Sequence, residues 1–427
     1  MLIGLDVGGT HTDAVLLQRE KHGAVKLVKA VKTRTRQDNV LTGIIEAIEE
    51  ILDHSEASKK TSKVVRLSVS TTLGLNALLT GANAPVGMLA VSGPGIDPRL
   101  FWTQDPLLHC LSGALDHRGR IIQKPGKQEI REACARIKEA GGKALGVVCK
   151  FGPKNPELER EMSDLARREL GPDMPVVTGA SIGGSLNFPR RLHTVWCNAS
   201  LAEAAKSFVC SLEEAARTRG LSCPVVVLKA DAGVYPAFQS ASDPASSMGS
   251  GPAASLLGVW ALTSQRRQGT GNDVLMIDMG GTTTDLALMA GGQPLLAPGG
   301  LTVCGRPTLI RSLWTRSIPL GGDSSLRLRD GKALIGPDRS GPALALEDSY
   351  MAERPPTLTD ALNVLGLCKL GDPDKSLSAI ALLASDPGSP ENVPHDLARI
   401  FVDTALEKIR EEARSLLDEI NARPVYT

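Results

Sequence analysis

The sequence has few aromatic residues and almost no net charge. Phe, Trp and Tyr make up 3% of the 427 residues, and 48 Lys and Arg against 47 Asp and Glu leave a formal charge of +1. A surface that stacks single-stranded bases needs aromatic side chains, and electrostatic attraction to nucleic acid or membrane needs a broad basic field. Because the composition favours neither, we expect no nucleic-acid or membrane partner.

Signals for membrane insertion, secretion and zinc binding are also missing. No apolar run approaches the roughly 18 residues of a transmembrane helix, and the sequence opens on a strand-like run rather than a charged leader. The eight cysteines are scattered and none forms a CxxC pair, which is typical of reduced, mostly buried thiols. We therefore expect a cytoplasmic protein without a zinc site.

Three widespread catalytic and nucleotide-binding motifs are absent. The sequence contains no GxxxxGK[ST], no GxGxxG after a predicted strand and no GxSxG. These absences argue against a P-loop NTPase, a dinucleotide-binding domain and an α/β-hydrolase.

What the sequence does contain is an octapeptide that occurs twice. DVGGTHTD spans residues 6–13 and DMGGTTTD spans residues 278–285. A short apolar run precedes and follows each copy, which predicts a strand, a tight Gly-Gly turn and a returning strand. An ordinary β-hairpin turn without a binding role is a reasonable explanation of one copy, but a poor explanation of two. Two such hairpins, one per domain, could clamp a polyphosphate from both sides.

The residue types of the octapeptide suit phosphate binding. Glycine lets the backbone approach an anion closely, successive backbone N–H groups form an anion-binding concavity, and threonine hydroxyls add donors. The predicted phosphate-binding residues are Gly8, Gly9, Thr10, Thr12, Gly280, Gly281, Thr282 and Thr283.

The aspartates of the octapeptide would be poor direct neighbours of a phosphate. They make sense beside a divalent cation, usually hydrated Mg²⁺, or as groups that orient an attacking atom. We predict that Asp6, Asp278 and Asp285 are catalytic, and that Asp6 and Asp278 hold Mg²⁺ through water.

Three further segments offer weaker candidates. The run Ser250-Gly251-Pro252 opens a predicted helix, so Gly251 could lie at an anion-binding helix N-terminus or in an ordinary cap. Asp323 follows Gly321-Gly322 in what could be a substrate loop or only a turn. The candidate substrate contacts are Asp13, Asn76 and Asp323, with a capping role equally open for Asn76.

Strand-like runs and amphipathic helical patterns alternate along the chain, which indicates an α/β fold. Predicted strands include residues 86–91 and 144–149, and predicted helices include residues 157–170, 192–219 and 394–422. We place a domain boundary near residues 183–190, so that residues 1–185 carry the first hairpin and residues 186–427 carry the second.

The order of motifs resembles the hydantoinase A/5-oxoprolinase family, within the superfamily of actin, sugar kinases and heat-shock ATPases. The blocks that carry the resemblance include IGLDVGGTHTDAVLL, KTRTRQDNVLTGI, STTLGLNALL, SSMGSGPAASLLG, IDMGGTTTDLALM, SIPLGGDSSLRL and PTLTDALNVLG. About nine such blocks occur in the family's order. The resemblance implies two actin-like ATPase (ribonuclease-H-like) domains with a nucleotide cleft between them.

The resemblance also implies a function: ATP- and Mg²⁺-dependent opening of a cyclic amide such as hydantoin, 5-oxoproline or a related lactam. ATP would phosphorylate the ring carbonyl oxygen, often with help from a hydantoinase B-type subunit, and a homo-oligomer is also open. Family members continue past the position of Thr427 into a Gly-rich adenosine-binding segment, so we expect the second domain to be truncated here. The alternatives are a small-molecule kinase, a carboxylase-activating subunit and a non-catalytic nucleotide-binding subunit.

Overall fold

The computed structural model describes most of the chain. The described residues are 1–8, 11–20, 25–34, 40–52, 64–102, 107–182, 185–264, 273–329, 331–346, 354–383 and 393–421. Within them lie strands and helices of a mixed α/β fold.

The described residues form twenty strands. In chain order they are β1 (Leu2–Val7), β2 (His11–Arg19), β3 (Val25–Arg34), β4 (Arg66–Thr71), β5 (Val86–Val91), β6 (Leu108–Cys110), β7 (Ala114–Leu115), β8 (Ile121–Gln123), β9 (Ala144–Cys149), β10 (Val176–Thr178), β11 (Val225–Leu228), β12 (Val234–Pro236), β13 (Val274–Met279), β14 (Thr284–Ala290), β15 (Gln293–Pro294), β16 (Thr302–Val303), β17 (Arg306–Pro307), β18 (Thr315–Ile318), β19 (Ser324–Arg329) and β20 (Lys332–Arg339).

The helices include two that are close to thirty residues long. In chain order they are α1 (Val40–Leu52), α2 (Leu73–Thr80), α3 (Lys127–Glu139), α4 (Glu157–Leu170), α5 (Gly179–Ile182), α6 (Phe188–Thr218), α7 (Ala237–Ser240), α8 (Ser250–Ser264), α9 (Leu358–Val364), α10 (Pro373–Leu383) and α11 (Val393–Asn421). No helix in the described ranges is long and apolar enough to cross a membrane.

The chain forms two compact units. Unit 1 comprises Met1–Gly258 and Leu296–Leu313, and unit 2 comprises Val259–Leu295 and Trp314–Thr427.

Unit 1 contains two main sheets, of six and four strands, and two two-stranded sheets. The larger sheet has the order β12-β11-β4-β1-β2-β3, and the smaller one has the order β10-β9-β5-β6. The apolar stripe of α1, with Ile44, Ile48 and Ile51 at helical spacing, packs on Leu5 and Leu16 of the larger sheet.

Helix α6 explains why unit 1 does not end at the expected boundary. Its first half places Leu192 and Val195 in the core of the smaller sheet, while its second half places Val209 and Leu212 in the core of the larger one. A break between residues 185 and 186 would separate α6 from strands that it covers. The compact unit of the structure therefore continues to Gly258.

Unit 2 is built around the second copy of the octapeptide. Strand β14 pairs with β13, β15 and β18, all antiparallel. The hairpin β19–β20 and helices α9, α10 and α11 complete the described part of this unit.

Candidate functional site

The first octapeptide forms the predicted hairpin. Strands β1 and β2 pair antiparallel, with Asp6 opposite Asp13 and Val7 opposite Thr12. The backbone N–H of Gly8 donates to the carbonyl of His11 over 3.0 Å. A Cβ on Gly8 would lie 2.8 Å from that carbonyl oxygen, so the turn accepts only glycine at this position without a shift.

The facing carboxylates of Asp6 and Asp13 are each held by a neighbouring strand. Ser70, at the end of β4, donates its hydroxyl to Asp6 Oδ1 over 2.7 Å. On the other side, Lys32 of β3 forms an ion pair with Asp13 at 2.8 Å. Like charges directly opposite on a sheet repel each other, so Lys32 and Ser70 offset a repulsion that the octapeptide itself creates.

A second layer of contacts ties the first hairpin to two helix N-termini. Thr72 donates its backbone N–H, and Thr71 its hydroxyl, to the carbonyl of Val7, over 3.2 and 3.1 Å. Ser250 exchanges two hydrogen bonds of 3.0 Å with the backbone of Thr71. A Cβ on Gly251 would lie 2.9 Å from Thr72 Cγ2. The structure thus brings Gly251, the start of α8 and the start of α2 to the tip of the first hairpin.

Asn76 lies in the first turn of α2. Its amide donates to the Thr72 hydroxyl over 3.3 Å, and its backbone N–H donates to the Thr72 carbonyl over 2.9 Å. Asn76 therefore packs beside Thr72, in the same corner of unit 1 as the hairpin.

The second octapeptide repeats the hairpin in unit 2. Strands β13 and β14 place Asp278 opposite Asp285 and Met279 opposite Thr284. Gly280 donates its N–H to the carbonyl of Thr283 over 2.9 Å. Both copies therefore have the same turn bond and the same facing pair of aspartates.

The turn of the second hairpin is clasped by the loop that contains Asp323. Gly322 and Asp323 donate their backbone N–H groups to the carbonyls of Gly280 and Gly281 over 2.9 and 2.8 Å. A Cβ on Gly281 would lie 2.5 Å from Asp323 Oδ2, and a Cβ on Gly321 would lie 2.5 Å from the Gly281 carbonyl oxygen. The backbone of the turn and the backbone of the loop therefore approach each other so closely that a side chain at Gly281 or Gly321 would need a shift.

An arginine also reaches this turn. Arg339, at the end of β20, donates to the hydroxyl of Thr282 over 3.0 Å. A guanidinium beside a Gly-Gly-Thr turn adds positive charge and fixed donors where an anion would bind.

Among the predicted phosphate contacts, Gly9 and Thr10 lie outside the described residues. Thr12 is only 1% exposed, because it pairs with Val7 on the core side of the sheet, so the structure assigns it to the hairpin core rather than to a surface open to phosphate. The equivalent Thr284 is also buried and donates its hydroxyl to the Leu320 carbonyl over 2.6 Å.

The donor set fits Mg²⁺ bound mainly by phosphate and water. No group of three or more His, Cys, Asp or Glu side chains suited to a metal occurs among the described residues. Each hairpin instead offers a pair of aspartates in register. Mg²⁺ commonly keeps several waters and binds through one or two carboxylates plus substrate phosphates, which is what such a pair can supply.

Sequence reasoning missed the residues that support the two turns. Ser70 and Arg339 reach them from positions 64 and 57 residues away in the sequence. The Thr71–Ser250 pair spans 179 residues. The Ser70-Thr71-Thr72 run is typical of a helix N-cap, and that pattern gives no sign of a contact with the hairpin.

Family models match most of the chain. The model described as the hydantoinase/oxoprolinase N-terminal region matches residues 2–170. The model described as hydantoinase/oxoprolinase matches residues 191–420, more than half of the sequence.

Two curated relatives are about a quarter identical to this chain over the aligned residues. An uncharacterized protein of Methanocaldococcus jannaschii is 24% identical over 96% of this chain and 64% of its own length. The caprolactamase alpha subunit of Pseudomonas jessenii is 25% identical over 85% of this chain and 54% of its own length. The chain thus spans less than two thirds of the length of either relative.

Two solved structures share the fold. A nucleotide-free acetone carboxylase aligns over 98% of this chain and 63% of its own, with a TM-score of 0.81 and 20% identity. The ATP-dependent caprolactamase of Pseudomonas jessenii aligns over 96% of this chain and 63% of its own, with a TM-score of 0.70 and 19% identity.

Proposed function

We propose that this chain, which belongs to the hydantoinase/oxoprolinase family, takes part in the ATP- and Mg²⁺-dependent opening of a cyclic amide. The observation that carries the proposal is the repeated hairpin, in which a glycine turn adjoins two facing aspartates. One relative that matches most of the chain is a caprolactamase subunit, and caprolactam is a cyclic amide.

The turns would bind the phosphates of ATP. Gly8, Gly280 and Gly281 let the backbone approach the phosphate oxygens, and the Thr282 hydroxyl with Arg339 adds donors at the second turn. Gly9 and Thr10 remain predicted contacts of the same kind. Gly251 and the start of α8 lie close enough to Thr72 to support the first turn.

The aspartates would hold the cation and orient the transfer. Asp6 and Asp278 would contact Mg²⁺ through water, and Asp285 would face Asp278 across the second hairpin. Bound Mg²⁺ would neutralise charge on the phosphate oxygens. Asp13, Asn76 and Asp323 remain candidate substrate contacts; Asp13 is engaged by Lys32, and Asp323 adjoins Gly281.

The reaction would begin with transfer of the γ-phosphoryl group to the carbonyl oxygen of the ring. The bond to the leaving ADP oxygen breaks as the new P–O bond forms. Water then adds to the ring carbon that carries the phosphorylated oxygen, and the ring C–N bond breaks as the nitrogen takes up a proton, which leaves an acyl phosphate. A second water hydrolyses the acyl phosphate, and an amino acid and phosphate are released. We further propose that the two units are the actin-like domains implied by the family resemblance, and that a hydantoinase B-type subunit assists the hydrolysis.

The first test replaces one carboxylate. We expect Asp278→Asn to lower Mg-ATP turnover by about 100-fold or more, the order of loss seen when one transition-state contact is removed. Because Asp278 is exposed, the free energy of unfolding should change by less than about 1 kcal/mol. The measurement is phosphate release, with Asp338→Asn as a matched control, since Asp338 is an exposed carboxylate paired with Arg327 in the same unit.

The second test identifies the chemistry. Phosphate release is measured with hydantoins and lactams, with and without a B-type subunit, and the product is identified by mass. A ring-opened acid that appears in step with phosphate supports the proposal. A phosphorylated product would instead indicate a kinase, and unchanged turnover in Asp278→Asn would remove the hairpins from the ATP site.

A further inference from the structure

Unit 1 contains a cavity of about 260 Å³ at the carboxyl end of β4. Its walls come from the start of α1, from α2, from the middle of α6 and from β11. We call it the α6 pocket. Apolar side chains such as Leu73, Leu201 and Phe208 form most of the surface, and none of the residues that line it carries a charge.

The size and lining of the α6 pocket suit one small neutral ring. An apolar cavity of about 150 Å³ is enough to take up benzene, so 260 Å³ accommodates a ring of five to seven atoms. An ionised group would give up part of its hydration in this pocket without gaining a partner of opposite charge from the lining, which is costly. The pocket therefore selects for neutral ligands.

A few hydroxyl groups break the apolar surface. Thr71 donates its hydroxyl to the Val7 carbonyl over 3.1 Å, and Ser247 donates to the Pro244 carbonyl over 2.8 Å. These protons bond to backbone carbonyls, and Thr71 Oγ1 also accepts the backbone N–H of Leu73 over 3.1 Å, so the remaining lone pairs of the two oxygens can only accept. The Ser211 hydroxyl of α6 makes no hydrogen bond to any described residue, so it can both donate and accept. An amide needs one donor for its carbonyl and one acceptor for its N–H, and the pocket offers both.

The α6 pocket adjoins the first hairpin through Thr71. Thr71 lines the pocket, and its hydroxyl bonds to the carbonyl of Val7, the residue before Gly8. A ligand that contacts Thr71 therefore touches a residue that is hydrogen-bonded to the first hairpin. No residue of unit 2 lines the pocket.

We infer that the α6 pocket binds the neutral cyclic amide, and that it discriminates against rings that carry a carboxylate. This inference rests on the proposed function for the identity of the ligand. The pocket would thus favour an unsubstituted lactam over 5-oxoproline, although both have the same five-membered ring. The sequence offered no sign of this preference, because the lining comes from segments between Val40 and Ser247.

The test uses a matched pair of ligands and a matched pair of variants. Binding of 2-pyrrolidinone, caprolactam and 5-oxoproline to the full chain is measured by calorimetry, with and without a non-hydrolysable ATP analogue and Mg²⁺. Ala205→Leu fills the pocket, whereas Ala202→Leu adds the same atoms to α6 outside the lining. We expect Ala205→Leu to weaken lactam binding at least tenfold and Ala202→Leu to change it less than twofold. We also expect 5-oxoproline to bind at least tenfold more weakly than 2-pyrrolidinone.

Several results would overturn the inference. The first is that neither lactam binds up to its solubility limit. The second is that 5-oxoproline and 2-pyrrolidinone bind equally well. The third is that Ala205→Leu binds lactam as tightly as the unaltered chain does. If Ala205→Leu does not fold, lactam-dependent protection of α2 and α6 from hydrogen exchange in the unaltered chain decides the question. Binding without ring opening would contradict the proposed function and leave the pocket assigned. Ring opening that is undiminished in Ala205→Leu would contradict the assignment of the pocket and would leave the proposed function standing.

Discussion

The two copies of the octapeptide form the same hairpin but are supported in different ways. In unit 1, β1 lies inside the sheet, with β2 antiparallel on one side and β4 parallel on the other. Its inward residues Ile3, Leu5 and Val7 are 1%, 3% and 0% exposed. In unit 2, β14 is the only described strand that pairs with β13, and the equivalent Leu275, Ile277 and Met279 are 36%, 51% and 40% exposed.

The difference shows that one local pattern can be fixed by two means. The first hairpin is anchored through its strand, by core burial and by the bond from Ser70 to Asp6. The second is anchored through its turn, by the backbone bonds that Gly322 and Asp323 make to Gly280 and Gly281. If so, strand mutations should affect the first copy more and turn mutations the second.

The largest effect should come from truncating the buried strand residue. Leu5→Ala should cost about 2–5 kcal/mol of unfolding free energy, because it removes fully buried atoms and leaves a cavity. Ile277→Ala, at the equivalent position, should cost less than about 1 kcal/mol, because half of that side chain is already in water. Hydrogen exchange read separately on β1 and β13 measures each hairpin by itself. Equal losses at both positions would contradict the comparison.

A smaller effect should come from adding a methyl group at the clasped turn. Gly321→Ala would bring its Cβ to 2.5 Å from the Gly281 carbonyl oxygen, a backbone atom that cannot rotate away. Overpacking of this kind costs about 1–3 kcal/mol. Gly280→Ala is the control for stability, because its Cβ would lie at an ordinary 3.6 Å from the nearest atom. The midpoint of chemical denaturation should be lower for Gly321→Ala than for Gly280→Ala. Similar midpoints would mean that the loop with Asp323 does not pack tightly on the turn.

The smallest effect concerns pH and belongs to unit 1. Burial lowers the pKa of His193 below its usual value of 6.5, so the folded protein favours the neutral imidazole. The unfolded chain takes up a proton below about pH 6.5, so this contribution to stability is present above that pH and is lost as the pH falls. Between about pH 7.5 and 5.5, unit 1 should lose more stability than a His193→Gln variant does. Parallel curves for the two proteins would refute this.

Secondary structure was predictable wherever periodicity was strong. The predicted strand 86–91 is β5 and the predicted helix 157–170 is α4. Helix α6 starts at Phe188 rather than at residue 192, because Asn187 caps it with a side-chain bond to the Arg190 N–H of 3.3 Å and Pro189 suits the first turn. Two-residue strands such as β15 and β17 are too short to leave a periodic pattern.

The candidate site was predictable only in its local part. The glycine turns and the facing aspartates follow from eight consecutive residues, so the octapeptide itself indicated them. The bond from Ser70 to Asp6 and the bond from Arg339 to Thr282 depend on strand pairing across 64 and 57 residues. No local pattern carries that information, and the same holds for the neutral lining of the α6 pocket.

The sequence by itself determined the two hairpins, the alternation of strands and helices and the family, because each depends on short-range pattern or on motifs in a fixed order. Only the tertiary structure decided how each hairpin is supported and where the compact units divide. Helix α6 buries one half on each sheet of unit 1, and that choice depends on the shapes of the surfaces that meet. Burial of apolar area is a property of the folded chain, so two hairpins that share an octapeptide could have a core first strand in one unit and an exposed first strand in the other.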